Sequence, residues 1–185
     1  MHPFELTTAR LVLNQPNADD VEDIARYCTD PLFEQFMVTP WPYERQHAEW
    51  FVEQAVPTGW ADGTEWNWAI RARADSPLMG VIGVRHASGM IGYWLGSPYR
   101  GTGFMSEATR AVIDAIFERS ELERLHWECR RGNVASLRTA QKVGFRYAGV
   151  ADGTILARDG NPVSSWVAIL DKHDSREPKA GWPSH

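Results

Sequence analysis

Cysteine is scarce: only Cys28 and Cys129 occur in 185 residues. They stand about a hundred residues apart with no metal-like spacing, so both are expected to be reduced and buried, and no cysteine-ligated metal is expected. Long apolar runs are missing as well. Nothing approaches the roughly 18–20 apolar residues of a membrane span, and the opening "MHPFELTTARLVL" lacks a basic segment followed by an apolar stretch. The expectation is a soluble, cytoplasmic protein without a membrane partner. Positive charge is in deficit, with 19 Lys and Arg against 24 Asp and Glu and a formal charge of −5. Whole-surface attraction to nucleic acid is therefore disfavoured. Repeats and linkers are absent too, which leaves one domain over residues 1–170. The segment 171–185, with charges, two prolines and little periodicity, is expected to be a loose tail.

Tryptophan, by contrast, is abundant: there are nine. Trp41, Trp50, Trp60, Trp66 and Trp68 all fall in one short stretch. Core and edge packing explains such a cluster most simply, since Trp offers a large apolar area with one easily satisfied donor. An aromatic-walled acceptor pocket is the alternative.

Periodicity gives a strand over "ARLVLNQP", a helix over "NADDVEDIARYC" capped by Asn17 or Asp19, and a structured loop over the proline-broken "DPLFEQFMVTPWPY". A second helix spans Glu44–Val56 and should end at Pro57 and Gly59. Three alternating stretches, 65–73, 78–86 and 90–96, read as an antiparallel meander. "SEATRAVIDAIFERS" carries an apolar stripe with helical spacing, "LERLHWECR" is a strand, and "NVASLRTAQKV" is a helix with Gly144 just past its end. "FRYAGVA" and "SWVAIL" read as two last strands. The fold class is α/β (α+β), a mixed sheet with helices packed on it.

Between the meander and the striped helix lies "YRGTGFMSEA", Tyr99 to Ala108. A helix start exposes unpaired N–H groups at the positive end of the helix dipole and so attracts phosphate. Gly101 and Gly103 remove the Cβ atoms that would block an anion, while Arg100 and Thr102 can add a charge and a hydroxyl donor. Alone, a short Gly-x-Gly is weak, because ordinary tight turns produce most of them. The third glycine of a dinucleotide site and the Lys-Ser/Thr pair of a P-loop are both missing.

"GYWLGSPYRGTGFMSEA" followed by "CRRGNVASLRTAQKVGFRYAGV" resembles the GNAT superfamily of N-acetyltransferases, in particular its RimJ/RimL-like branch, which acetylates ribosomal proteins. The motif-level likeness spans roughly Ile91 to Val150. It implies the GNAT fold, a mostly antiparallel sheet splayed between the strand ending at Leu95 and the strand ending near Cys129. It also implies acetyl-CoA as cosubstrate, with no metal, and direct transfer of acetyl to a primary amine on a protein or peptide N-terminus or a small amino compound. The pyrophosphate signature maps onto Arg100, Gly101, Thr102, Gly103, Phe104 and Met105. Backbone near Trp94 and Leu95 would guide the thioester, and Asn133 and Ser136 would contact the cofactor. The sequence departs from the pattern at two points. Met105 stands where Gly or Ala is usual, and Ala140 replaces the Tyr that many members use as general acid; in the RimJ/RimL-like branch the Ser matching Ser136 takes that place, so the resemblance implies Ser136 as the catalytic donor to the leaving sulfur.

Acceptor contacts implied by the same likeness are Trp41, Tyr43 and Glu65. Glu65, Asp62, Glu34 and His126 are candidate bases, each also explicable as a solvated or structural side chain. Cys129 reads as a buried strand thiol, not a nucleophile, and Lys142 as a helix-end cation. A homodimer is expected by analogy. Two other functions stay open: a catalytically silent acyl-CoA-binding module, motivated by Met105 and Ala140, and a phosphate-binding regulatory domain contacting nucleic acid, which the acidic balance opposes.

Overall fold

The structure is a computed structural model that describes residues 2–184. Strands β1 (Leu6–Thr7) and β2 (Val12–Asn14) form a hairpin where a single strand was expected. Its turn is pinned from outside: the carboxylate of Glu107 accepts from the Thr8 hydroxyl at 2.6 Å and from the Arg10 N–H at 3.0 Å. A short 3-10 turn at Ala18–Asp20 leads into α1 (Val21–Tyr27). Asn17 caps that turn reciprocally with Asp20.

The proline-broken stretch, expected to be a structured loop, contains a helix, α2 (Pro31–Phe36). Asp30 caps it by accepting from the Leu32 N–H at 2.9 Å, and Pro31 occupies the first helical position. Proline there starts a helix, because the N–H it lacks would have had no partner. The next helix also runs past its expected end. It comprises α3 (Arg45–Trp50), a π-turn over Phe51–Ala55, and α4 (Val56–Asp62). Pro57 has no N–H to donate and its ring crowds the carbonyl four residues back, so the backbone widens to a π-turn and continues instead of stopping. Gly63, in the left-handed conformation, ends it.

The sheet holds eight strands in the order β1-β2-β3-β4-β5-β6-β8-β7, completed by β3 (Glu65–Arg71), β4 (Gly80–Arg85), β5 (Met90–Leu95), β6 (Arg124–Arg130), β7 (Arg146–Leu156) and β8 (Pro162–Asp171). Every pairing is antiparallel except β5 with β6. Those two parallel strands touch through one residue pair, Met90 and His126, and then diverge. Two helices stand beside the divergence, α5 (Phe104–Arg119) and α6 (Val134–Lys142).

Strand alternation sends apolar side chains to both faces, and two cores result. One gathers Ile113, Ile116, Trp127, Leu137 and Phe145 beneath α5 and α6, and reaches Trp60, Trp66 and Trp68. Phe4 meets these three indoles edge-on at 5.4–5.6 Å. The other gathers Ile24, Phe33, Ala48 and Val81 beneath α1 to α3. The tryptophan cluster is therefore chiefly core, although Trp50 is exposed.

The segment after Asp171, expected to be loose, is held at several points. The Arg176 guanidinium donates to the carbonyls of Asp174 and Lys172, and Trp182 packs against Trp127 and Tyr147 at 5.8 and 5.4 Å. Gly144 makes this docking possible, because a Cβ there would lie 2.7 Å from the Arg176 backbone, and its φ of 94° already favours glycine.

Candidate active site

The divergence of β5 and β6 leaves a cavity of about 600 Å³. Its walls are the Leu95 end of β5, the amino terminus of α5, the first two turns of α6 and the apolar side chains of α2. Trp94, Leu95, Arg100, Gly101, Gly103, Met105, Asn133 and Ser136 all line it. Residues that lie up to 42 positions apart in the chain thus meet around one space.

At one end stands the glycine turn. Gly103 is the residue preceding α5 and has φ 83°, open to glycine and costly for other residues. The N–H of Glu107 bonds back to the Gly103 carbonyl at 3.1 Å, while the Met105 and Ser106 amides have no acceptor among the described residues. They are free donors at the positive end of a 16-residue helix. The Met105 side chain is 8% exposed and belongs to the core beneath α5, so it does not fill the turn.

Two side chains expected to face an anion are engaged elsewhere. The Arg100 guanidinium donates to the Leu95 carbonyl at 3.0 Å and to Asp30 Oδ2 at 2.8 Å, so it ties the end of β5 to the cap of α2. The Thr102 hydroxyl donates to the Tyr99 carbonyl at 2.6 Å, within the turn itself. Thr102 and Phe104 are not among the cavity residues. Arg10, unremarked in the sequence, braces the turn. It donates to Glu107 Oε2 at 2.7 Å and to the Thr102 carbonyl at 3.2 Å, with its guanidinium 4.7 Å from the Phe104 ring centre. The Thr8 and Arg10 donors hold the Glu107 carboxyl below its usual range, against the opposing effect of partial burial.

At the other end, Asn133 caps α6 by accepting from the Ser136 N–H at 3.2 Å. The Ser136 Oγ accepts from the Trp127 indole at 3.2 Å and lies 3.4 Å from the Tyr93 hydroxyl. Strand alternation could have identified Tyr93. It shares a face of β5 with Leu95, while Trp94 points to the opposite face, where its ring meets Phe33 at 5.4 Å. Alternation also sorts the amides. The Gly96 N–H bonds to Met79 beside β4, so the Trp94 amide faces β4 too, and only the Leu95 amide of that pair faces the gap.

The expected acceptor contacts lie outside the cavity. Trp41 and Tyr43 pack with the second core beside Cys28, and Trp41 receives the Arg158 guanidinium at 5.9 Å. Glu65 pairs with Arg85, which pairs in register with Met90, so it sits at the closed end of the sheet. Five residues separate that level from Leu95, roughly 17 Å along a strand. His126 lies at the same closed end. Glu34 and Asp62 are exposed and do not line the cavity. Cys28 and Cys129 are buried thiols, and burial pushes each up to about 12, far from a thiolate at neutral pH. Lys142, read as a helix-end cation, reaches the cavity wall.

The sheet is thus splayed between two parallel strands, with a free helix amino terminus and a hydroxyl cluster both facing the gap. The chain belongs to the acetyltransferase (GNAT) domain family, whose profile matches residues 10–146. It is 32% identical over 118 residues to YjcK of Bacillus subtilis, designated a probable N-acetyltransferase. That match takes in 60% of this chain and 65% of YjcK, so the chain spans less than two thirds of that relative's length. It is 29% identical over 103 residues to the ribosomal-protein-serine acetyltransferase of Escherichia coli, covering 52% of this chain and 58% of that one. A solved Vibrio cholerae structure, provisionally named for the same activity, superposes with a TM-score of 0.77 at 29% identity, over 92% of this chain and 99% of the other. No helix among the described residues is long and apolar enough to cross a membrane.

Replacing Gly103 by Val is expected to weaken CoA binding at least tenfold, about 1.4 kcal/mol. A Cβ at this position would meet only Arg10 Nη2, at 3.5 Å, so the protein has room for it, but a β-branched residue at φ 83° strains the turn that presents the free amides. Calorimetry with CoA measures the change, and an unaltered affinity would place the phosphates elsewhere.

Proposed function

We propose that the protein is an acetyl-CoA-dependent N-acetyltransferase that passes acetyl directly to a primary amine, first among them the α-amine of a peptide or protein. The observation that carries this is the cavity itself. Unpartnered amides at the start of α5 suit a diphosphate, and the same cavity is lined by Leu95 and Ser136. The buried Met105 leaves the cradle open, so the residue that departs from the family pattern still fits the cosubstrate.

In this reading the Leu95 N–H donates to the thioester carbonyl as charge grows on its oxygen. Ser136 donates to the sulfur as the C–S bond breaks. No acyl-enzyme is needed, in keeping with the high pKa of Cys129. Arg100 acts by holding β5 to α2, and Asn133 by fixing the first turn of α6. The names of the Escherichia coli and Vibrio cholerae relatives, which specify a ribosomal-protein serine, support a protein or peptide acceptor over a small amine.

The test is thiol release from acetyl-CoA against a panel of peptides with different N-terminal residues, followed by small amines. Release with a subset of acceptors is the expected result. Tight binding of acetyl-CoA with no release across the panel would favour a silent acyl-CoA-binding module, the reading that Ala140 supports. Ala140 is fully buried, so α6 presents no side chain there to act as an acid.

A further inference from the structure

The Ser136 hydroxyl is built into a directed chain of hydrogen bonds whose polarity follows from its neighbours. An indole nitrogen only donates, so Ser136 Oγ must accept from Trp127 Nε1, at 3.2 Å. The Tyr93 hydroxyl donates its one proton to the Ser136 main-chain carbonyl at 3.1 Å, so towards Oγ, 3.4 Å away, it acts as acceptor. Of the two groups beside it, the Tyr93 hydroxyl and the Cys129 sulfur, the Tyr93 oxygen at 3.4 Å takes the serine proton, and Tyr93 and Ser136 both line the cavity. Trp127 stands behind them, 1% exposed, with its ring held by Trp182.

We propose that Trp127 is a positioning residue that fixes Ser136 as a donor towards the cavity, and that Tyr93 holds the serine proton until a thiolate replaces it as acceptor. The assignment rests on the acetyl-CoA reading above. The titratable groups facing the hydroxyl are Tyr93 from β5 and Cys129 from β6. Burial raises both, so each keeps its proton, and the Cys129 thiol donates to the Asn133 carbonyl at 3.8 Å. Glu128, next along β6, adds a small push in the same direction on Cys129. Arg100, Arg138 and Lys142 also line the cavity, and they act alike on any ligand with the same phosphates.

The experiment compares binding of CoA with binding of desulfo-CoA by calorimetry, from about pH 7 to about pH 10, the range in which a free thiol ionises. The difference isolates the sulfur and needs no acceptor. In the parent protein the preference for CoA should grow about tenfold as the thiol ionises, the size expected of a charge-assisted hydrogen bond. Ser136→Ala should abolish that growth. Trp127→Phe should cut it to about a third, and should have no further effect in the Ser136→Ala background, because coupled residues are not additive. Tyr93→Phe should act in the opposite direction and raise the preference, since it removes the competing acceptor. It deletes one hydroxyl and carries the test by its sign where Trp127→Phe fails to fold.

An undiminished effect of Trp127→Phe without the serine hydroxyl, or no effect with it, would overturn the assignment. So would a lowered preference in Tyr93→Phe, which would make Tyr93 the donor. Failure of both ligands to bind would instead overturn the acetyl-CoA reading, and this assignment with it.

Discussion

Ser136→Ala should lower kcat for acetyl transfer about a hundredfold while leaving the affinity for acetyl-CoA nearly unchanged. The asymmetry follows from when the hydroxyl is needed. A thioester sulfur is a weak acceptor and carries little charge in the ground state, whereas the departing thiolate carries nearly a full one. A donor in place beforehand is then stronger in the transition state than in the bound complex, and such an interaction raises kcat. Tyr93 has its one proton on the Ser136 carbonyl and the Cys129 thiol donates to the Asn133 carbonyl, so neither is placed to replace the lost donor. The substitution also leaves the Trp127 N–H without its acceptor, at a stability cost of about 1–3 kcal/mol. A thermal melt separates the two effects: the rate is measured well below the variant's Tm, where the folded fraction equals that of the parent. Equal turnover for variant and parent at saturating acceptor would remove Ser136 from the chemistry.

The parts of this site legible in the sequence are those set by local backbone rules. The glycine pair before a striped helix, the Asn cap three residues before Ser136, and the meander all follow from spacing, and they lie where spacing puts them. The illegible parts depend on partners far along the chain. Arg100 next to two glycines reads as an anion ligand, yet its neighbours in space are Leu95 and an aspartate 70 residues earlier. Glu65 looks like an acceptor-side carboxylate until the register of three strands puts it at the closed end. Proline misled twice for a local reason: Pro31 starts a helix and Pro57 widens one, and in both places the missing N–H is tolerated. Tyr93 was within reach, since it sits in the quoted motif and alternation alone assigns it to the face of Leu95.

The largest loss of stability should follow from Asp20→Ala, far from the chemistry. Asp20 and Arg71 are a buried ion pair at 2.6 Å with side chains 2% and 5% exposed. The guanidinium is fully engaged: it also donates to Asn14 at 2.8 Å and to the Ser76 carbonyl at 3.0 Å. One carboxylate thus joins the entry of α1, through the Asn17 N–H at 2.9 Å, to β2, β3 and the turn after β3. Removing it strands a buried positive charge and uncaps the helix entry, a loss of about 3–5 kcal/mol. Urea unfolding with an unchanged m-value measures it. The paired replacement Asp20→Leu with Arg71→Met removes both charges and keeps the apolar volume, so it should recover most of that loss. A double variant as unstable as Asp20→Ala would mean that the cap and the strand contacts, not charge compensation, hold this corner. Because α1 supplies Tyr27, whose ring lies 2.7 Å from where a Cβ on Gly96 would be, the same loss should reach the end of β5. Acetyl-CoA affinity should then fall with stability in Asp20→Ala and return in the paired replacement.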